Sequence, residues 1–237
     1  MKLGIMQPYL FPWIGYFQLV NLVDELVIYD DVQYIKNGWI NRNRILINGQ
    51  PRYFTLPVLK ASHALPICER RFASSFERDK LRTLKSLEMA YAAAPHFRDT
   101  LTLVQDCFAC RDDNVASFVS HTLSKVCDAL GIETLLRRSS ELEHSPTKHG
   151  QDRVLDICRI LHASHYVNAI GGTDLYEGDV FAQNGQQLSF LQTRDVAYQQ
   201  FQNTFRPNLS IIDVMMFNDR DQIAALLHEF DLKSPQS

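Results

Sequence analysis

The sequence predicts an α/β fold built on a Rossmann-like parallel sheet, and three observations support this prediction. Residues 3–6 form a short apolar run that suits a buried strand, and residues 13–23 repeat apolar side chains with helical spacing. Residues 25–29 are a second apolar run of strand length. Strand, helix and strand so close together form a βαβ unit, which makes the two strands parallel with a right-handed crossover.

The elements that follow continue this alternation after a helical interruption. Asn48-Gly49 joins extended segments 44–47 and 53–58 and is a strong hairpin signal. Three stripes of apolar residues then predict a mainly helical insertion at about 76–131, which stops at Gly131. The later pattern predicts strands at 132–136, 166–169 and 187–192, helices at 153–161 and 221–229, and a polar loop at 141–150.

Composition bounds the class of protein. The 237 residues are 46% hydrophobic and 22% charged, which is typical of a globular chain, and we expect a single domain over 1–237. A net charge of -3 gives no basic field, so nucleic acid is not expected as a partner. An odd cysteine count, no signal peptide and no membrane-length apolar stretch predict a cytoplasmic protein. No histidine or cysteine set predicts a metal.

Polar and aromatic residues follow the second predicted strand and form the densest candidate site. So many donors and acceptors do not suit a buried core, because each would need a partner there. One of Asp30 and Asp31 can act as a base while the other positions a donor. Arg42 and Arg44 lie two residues apart and can together bind a phosphate or carboxylate. For each arginine taken alone, a surface ion pair is the preferred interpretation. The candidate binding residues here are Asp30, Gln33, Tyr34, Lys36, Trp39, Arg42 and Arg44.

Three further groups lie where the predicted sheet ends. Gln7, Tyr9, Trp13 and Tyr16 follow the first strand, where ligands bind in open α/β sheets. A hydrophobic staple that holds the first helix is the alternative for the aromatic residues. The other candidates are Gly171 and Gly172 after a later strand, and Tyr198, Ser210 and Asp213 near the end, although Ser210 also suits a helix N-cap. We expect these groups to share one pocket with the residues that follow the second strand.

Long motifs give a resemblance to a known family. MQPYLFPWIGYFQL, VDELVIYDDVQYIKNGWINRNRI, LPV at 56–58 and FRPNLSIIDVMMFN resemble the WbqC-like proteins of bacteria over nearly the whole chain. The resemblance implies transfer of an acyl or aminoacyl group, such as glycyl, to an amino sugar that can be nucleotide-linked, in surface polysaccharide (O-antigen) biosynthesis. For such a reaction we expect Asp31 as base, Gln7 as oxyanion contact and Asn41 as orienting group.

The resemblance leaves the donor and two other functions open. No cofactor is predicted, but an acyl or peptidyl carrier protein or a coenzyme A thioester would supply an activated group. The turn with Pro12, Trp13 and Gly15 is similar in placement to the HxGH turn of nucleotidyltransferases, so an ATP-dependent ligase or nucleotidyltransferase is an alternative. A non-catalytic protein that binds a nucleotide sugar or a carrier protein is the other.

Overall fold

The computed structural model describes residues 1–143, 147–202 and 204–235 of the chain. Its strands are β1 (Lys2–Met6), β2 (Glu25–Ile28), β3 (Arg42–Ile47), β4 (Gln50–Thr55), β5 (Leu135–Arg138), β6 (His165–Ala169), β7 (Gln187–Thr193) and β8 (Phe230–Lys233). Its helices are α1 (Ile14–Leu22), α2 (Phe76–Tyr91), α3 (Phe97–Phe108), α4 (Val115–Leu130), α5 (Gly150–Ile160), α6 (Gly178–Gln183), α7 (Ile211–Phe217) and α8 (Arg220–Leu226).

The central sheet has the strand order β5-β2-β1-β6-β7-β8. All neighbours pair in parallel except β7 and β8, which are antiparallel. Counted along the chain, the parallel strands therefore follow the 3-2-1-4-5 order of a Rossmann-like sheet. The predicted α/β class is confirmed, with helices α2, α3 and α4 inserted between β4 and β5.

Apolar residues cover both faces of the sheet, so its strands are nearly continuous hydrophobic runs. The larger core joins α1, the hairpin β3–β4 and the inserted helices, with Phe11, Phe17 and Phe118 fully buried. The smaller core lies under α5 and α6 around Tyr166 and Phe181. Burial of both faces explains why the strands showed no alternation of polar and apolar residues.

Some predicted boundaries and elements differ from the structure. The second hairpin strand begins and ends three residues earlier than predicted, and β5 begins at Leu135 rather than at 132. The paired glycines lie in a 3-10 helix, Ile170–Leu175. The sequence pattern did not predict α6 and β8, because short elements carry too few residues for a periodic signal. Residues 144–146 of the predicted loop and 236–237 of the predicted domain lie outside the described residues.

The described helices include none that is both long enough and apolar enough to cross a bilayer.

Candidate functional site

The carboxyl edge of the sheet has the geometry of a ligand crevice. β1 lies between β2 and β6, and the chain moves from β1 to β2 but later returns to β6 on the other side. Such a reversal opens a crevice beyond the carboxyl ends of the two strands. Gln7 follows β1 at this edge, and Gly171 and Gly172 follow β6. The switch point therefore lies between Gln7 and the paired glycines.

The segment after Gln7 lines a cavity of about 310 Å³, which we call the aromatic cavity. The Arg44 guanidinium carbon lies 5.5 Å from the centroid of the Trp39 ring, and Arg44 Nη2 donates to the backbone oxygen of Asn208 at 3.0 Å. Arg44 Nε is buried with no partner among the described residues. Aromatic faces beside a cation suit a sugar ring or a planar base to which a negatively charged group is attached. The cavity is lined by Tyr9, Pro12, Trp13, Trp39, Asn43, Arg44 and Asn208.

The loop between β1 and α1 is held in place by side chains from β3 and α7. Asn43 Nδ2 donates to the backbone oxygens of Leu10 at 3.0 Å and Phe11 at 2.9 Å. The Ser210 hydroxyl donates to the same Phe11 oxygen at 2.7 Å and caps α7 by accepting from the amide of Ile212. Residues far apart in sequence therefore fix the loop that presents Tyr9 and Trp13.

A second cavity of about 500 Å³, which we call the adjoining cavity, shares Trp13 and Asn208 with the aromatic cavity. Gly15 makes this arrangement possible, because a Cβ there would lie 2.4 Å from the Trp13 ring and 2.6 Å from Thr193 Oγ1. Glycine thus lets the indole lie against the start of α1. The other lining residues are Ile14, Thr193, Arg194, Asp195, Val196, Ala197, Tyr198, Phe205, Pro207, Leu209 and Val214.

A buried polar network supports the far wall of the adjoining cavity. Asp213 is fully buried and accepts hydrogen bonds from the hydroxyls of Tyr91 at 2.6 Å and Tyr198 at 2.7 Å, and from Gln200 Nε2 at 2.7 Å. Burial raises the pKa of Asp213, and the three donors oppose that rise. Burial and the Asp213 charge raise the pKa of Tyr198, so its hydroxyl remains a donor. The network fixes residues 198–200 against α2 and α7.

The carboxylates after β2 form a separate group with residues that follow β5. Asp30 is fully buried, and its two oxygens accept from the amide of Ser140 at 2.9 Å and the Ser140 hydroxyl at 2.8 Å. Asp31 forms an ion pair with Arg153 of α5 and accepts from the Ser139 hydroxyl. Its side chain keeps 16% of its surface exposed. Asp30 therefore joins β2 to β5, whereas Asp31 reaches the surface.

The sequence relates this chain to known proteins. The model of the WbqC-like protein family matches residues 7–225. This chain belongs to the WbqC-like protein family. It is 29% identical over 221 residues to the uncharacterized protein Rv1507c of Mycobacterium tuberculosis (strain ATCC 25618 / H37Rv), an alignment that covers 92% of this chain and 93% of that protein. No solved structure matches.

The structure of this WbqC-like protein divides the predicted site residues among several places rather than one pocket. Tyr9, Trp13, Trp39 and Arg44 meet in the aromatic cavity, and Tyr198 lines the adjoining one. Tyr34, Lys36 and Asn41 line a third cavity that shares no residue with these two. Asp31 pairs with α5, Arg42 donates to the backbone oxygens of Asn37 and Gly38, and Gln33 bridges to Pro66.

Several predicted binding residues are buried supports in this family member. Tyr16, Asp30, Ser210 and Asp213 have exposed fractions of 2% or less, and each uses its polar atoms on protein partners. These four residues support the fold and do not line a cavity as predicted. The physical reason is that hydrogen bonds to the backbone and to distant side chains satisfy their polar atoms inside the core. Gly172 is also buried, with the Asn168 amide 2.4 Å from where a Cβ would lie, so it serves close packing.

Other residues of the site lie outside the predicted set of binding residues. Asn43 and Asn208 line the aromatic cavity, Thr193 faces Gly15, and Arg153 partners Asp31. Asn43 and Asn208 lie within the NRNRI and FRPNL motifs, so the motifs could have indicated both residues as members of the site. Arg153 lies on a helix whose pattern gave no reason to single it out.

Proposed function

We propose that this chain transfers an acyl or aminoacyl group, such as glycyl, to the amine of a nucleotide-linked amino sugar in surface polysaccharide (O-antigen) biosynthesis. The observation that supports this most is the pair of cavities that meet at Trp13 and Asn208. Two joined compartments of different character suit a substrate with two chemically different parts. Membership of the WbqC-like family agrees with the proposed class of reaction.

The two compartments divide the substrate by its chemistry. The aromatic cavity takes the nucleotide part, because Trp13 and Trp39 offer stacking faces and the Arg44 guanidinium offers a positive charge to phosphate. The adjoining cavity takes the sugar. Its Trp13 indole covers an apolar sugar face, while Thr193 and Tyr198 are the hydroxyl-bearing residues of its wall.

Transfer itself requires a deprotonated amine and a stabilised carbonyl oxygen. The sugar nitrogen forms the new C–N bond while the carbon–sulfur bond of a carrier-protein or coenzyme A thioester breaks, and the amine proton passes to the leaving thiolate. Gln7 follows β1 at the switch point, and its side-chain Nε2 donates to the oxyanion. Proximity of the amine to the thioester carbonyl supplies most of the remaining rate increase.

A mass-spectrometric assay tests this proposal with the purified chain, a panel of nucleotide-linked amino sugars and acyl or aminoacyl thioesters. The expected product carries the acyl mass on the sugar amine. Trp13→Ala raises KM roughly tenfold or more through loss of stacking, whereas the exposed control Leu81→Ala does not. Gln7→Ala lowers kcat about 10²-fold through loss of the oxyanion donor, with little change in KM.

The same assay separates the alternatives. Product that forms only with ATP and a free acid, with release of pyrophosphate, would replace thioester transfer by an ATP-dependent ligase. Tight binding of the nucleotide sugar without any product under all donor conditions would instead make the chain a binding protein.

A further inference from the structure

A third cavity, which we call the basic cavity, lies apart from the aromatic and adjoining cavities and has a volume of about 430 Å³. Three of its lining residues, Lys36, Lys60 and Arg70, are cationic, and none of the lining residues is acidic. No ion pair in the described part of the chain includes any of these three residues. The remaining lining residues are Tyr34, Asn41, Pro57, Val58, Leu59, Ala61 and His63.

Arg70 gives this cavity a fixed positive charge. Only 5% of its surface is exposed, and its guanidinium donates to the backbone oxygens of Ser62 at 2.6 Å and Leu65 at 3.2 Å. The guanidinium carbon lies 5.0 Å from the centroid of the Tyr34 ring. Backbone oxygens and a ring face orient a guanidinium without neutralising it, and a buried charge without a counter-ion is costly. The charge therefore favours an anion in the space that it faces.

Polar groups opposite Arg70 are already fixed. The Tyr34 hydroxyl donates to Asn41 Oδ1 at 2.7 Å, and Asn41 Nδ2 donates to the backbone oxygen of Leu56 at 2.9 Å. This chain of hydrogen bonds makes a rigid wall. Lys36 and Lys60, by contrast, are exposed and can move their ammonium groups onto a ligand.

The surrounding sequence has the same sign of charge. Residues 32–68 contain Lys36, Arg42, Arg44, Arg52 and Lys60 but no aspartate or glutamate, in a chain whose net charge is -3. The positive field is therefore concentrated on the one segment that supplies nearly all of the cavity wall. Such concentration attracts an anion more strongly than the same charges interspersed with carboxylates would.

We propose that the basic cavity binds a phosphate or diphosphate ester. Two mobile ammonium groups and one fixed guanidinium match the several oxygens and multiple charge of such a group better than a single carboxylate. The site does not depend on the transfer reaction proposed above, since it shares no lining residue with the two cavities that carry that proposal.

Calorimetric titration with inorganic pyrophosphate tests the site. Lys36→Ala/Lys60→Ala is expected to weaken binding about 10- to 100-fold, since each lost charged contact is worth roughly a factor of 3 to 10. The matched control is Lys85→Ala/Lys125→Ala, which removes two exposed lysines of α2 and α4 that do not line the cavity. Added salt should also weaken wild-type binding. No measurable binding by the wild type, or equal binding by both double variants, would overturn the proposal.

Two further titrations identify the source of the phosphate. Uridine diphosphate represents a nucleotide sugar, and coenzyme A represents an activated acyl donor. The basic cavity binds the compound whose affinity falls in Lys36→Ala/Lys60→Ala but not in Arg44→Ala. The Arg44 variant changes the aromatic cavity instead. Loss of affinity in Arg44→Ala alone, for both compounds, would contradict a phosphate site in the basic cavity.

Discussion

Phe11 holds a backbone conformation that L residues rarely adopt, with φ of 43°, and it is almost fully buried. A single residue in this region costs about 1 to 2 kcal/mol. Its ring packs against Phe54 and Phe108, and its backbone oxygen accepts from Asn43 and Ser210. Packing and hydrogen bonds thus hold a strained turn beside Trp13, where the candidate site needs a sharp change of chain direction.

Gly15 offers the most direct test of how the Trp13 indole is positioned. Gly15→Ala should displace the ring, because the new methyl would lie 2.4 Å from it, while the free energy of unfolding changes by less than about 1 kcal/mol. Iodide quenching of tryptophan fluorescence in a Trp39→Phe background reports only on Trp13. Equal quenching in the Trp39→Phe chain with and without Gly15→Ala would contradict the packing of the Trp13 indole against Gly15 at the start of α1.

Asp213 tests the buried network. Asp213→Ala removes the acceptor of three hydrogen bonds and should lower the free energy of unfolding by about 3 kcal/mol in urea titrations. Tyr198→Phe removes one donor and should cost about 1 kcal/mol. A loss in Asp213→Ala no larger than in the exposed control Asp128→Ala would show that the network contributes little.

At the scale of elements, the inserted helices are joined by a buried cation. Lys80 of α2 is 3% exposed and donates to the backbone oxygen of Phe108, the last residue of α3, at 2.8 Å and to that of Cys110 at 3.0 Å. A cation at this place satisfies free carbonyls and the helix dipole together. α2 therefore caps α3.

Lys80→Met tests that cap while keeping the apolar stem. The free energy of unfolding should fall by about 2 kcal/mol, because two carbonyls lose a charged donor. Lys85→Met changes an exposed lysine of the same helix and serves as control. Equal melting temperatures for the two variants would argue against a capping role.

The pairing of β1, β6 and β7 contains a titratable group. Burial, then Lys2 and the amino terminus, lower the pKa of His165, whose Nε2 lies 2.9 Å from Ser189 Oγ. A pKa depressed on folding means that stability present above pH of about 6.5 is lost as the pH falls through the folded-state pKa. Urea midpoints from pH 7.5 to 5 should fall more for wild type than for His165→Gln, and parallel curves would refute this linkage.

At the scale of the whole molecule, burial predicts where the chain opens first. Strands β1 and β2 lie between both cores, with Leu3, Leu26 and Val27 fully buried, whereas β4 is mostly exposed. Amide exchange measured by mass spectrometry should be slowest in peptides from β1 and β2 and faster in β4 and β8. Faster exchange in β1 than in β8 would contradict this order of local stability.

The sequence by itself determined the class of fold, the opening βαβ unit and the inserted helices, because these depend on local periodicity. It also marked Trp13, Trp39 and Arg44, whose aromatic and cationic character is unusual in a loop. Periodicity does not show which distant residues a side chain contacts. The local sequence therefore could not predict that Asp31 and Asn41 lie apart from the aromatic cavity. The burial of Asp30 and Asp213 was equally hidden.

Only the tertiary structure decided which polar residues support the fold and which face open space. Asp213 and Lys36 are both polar in sequence, yet one is enclosed by donors from α2 and residues 198–200 while the other lines a cavity. The difference arises because a side chain's partners come from segments that are distant in sequence. Whether a buried polar group has hydrogen-bond partners is therefore a property of the packed chain and not of the residue itself.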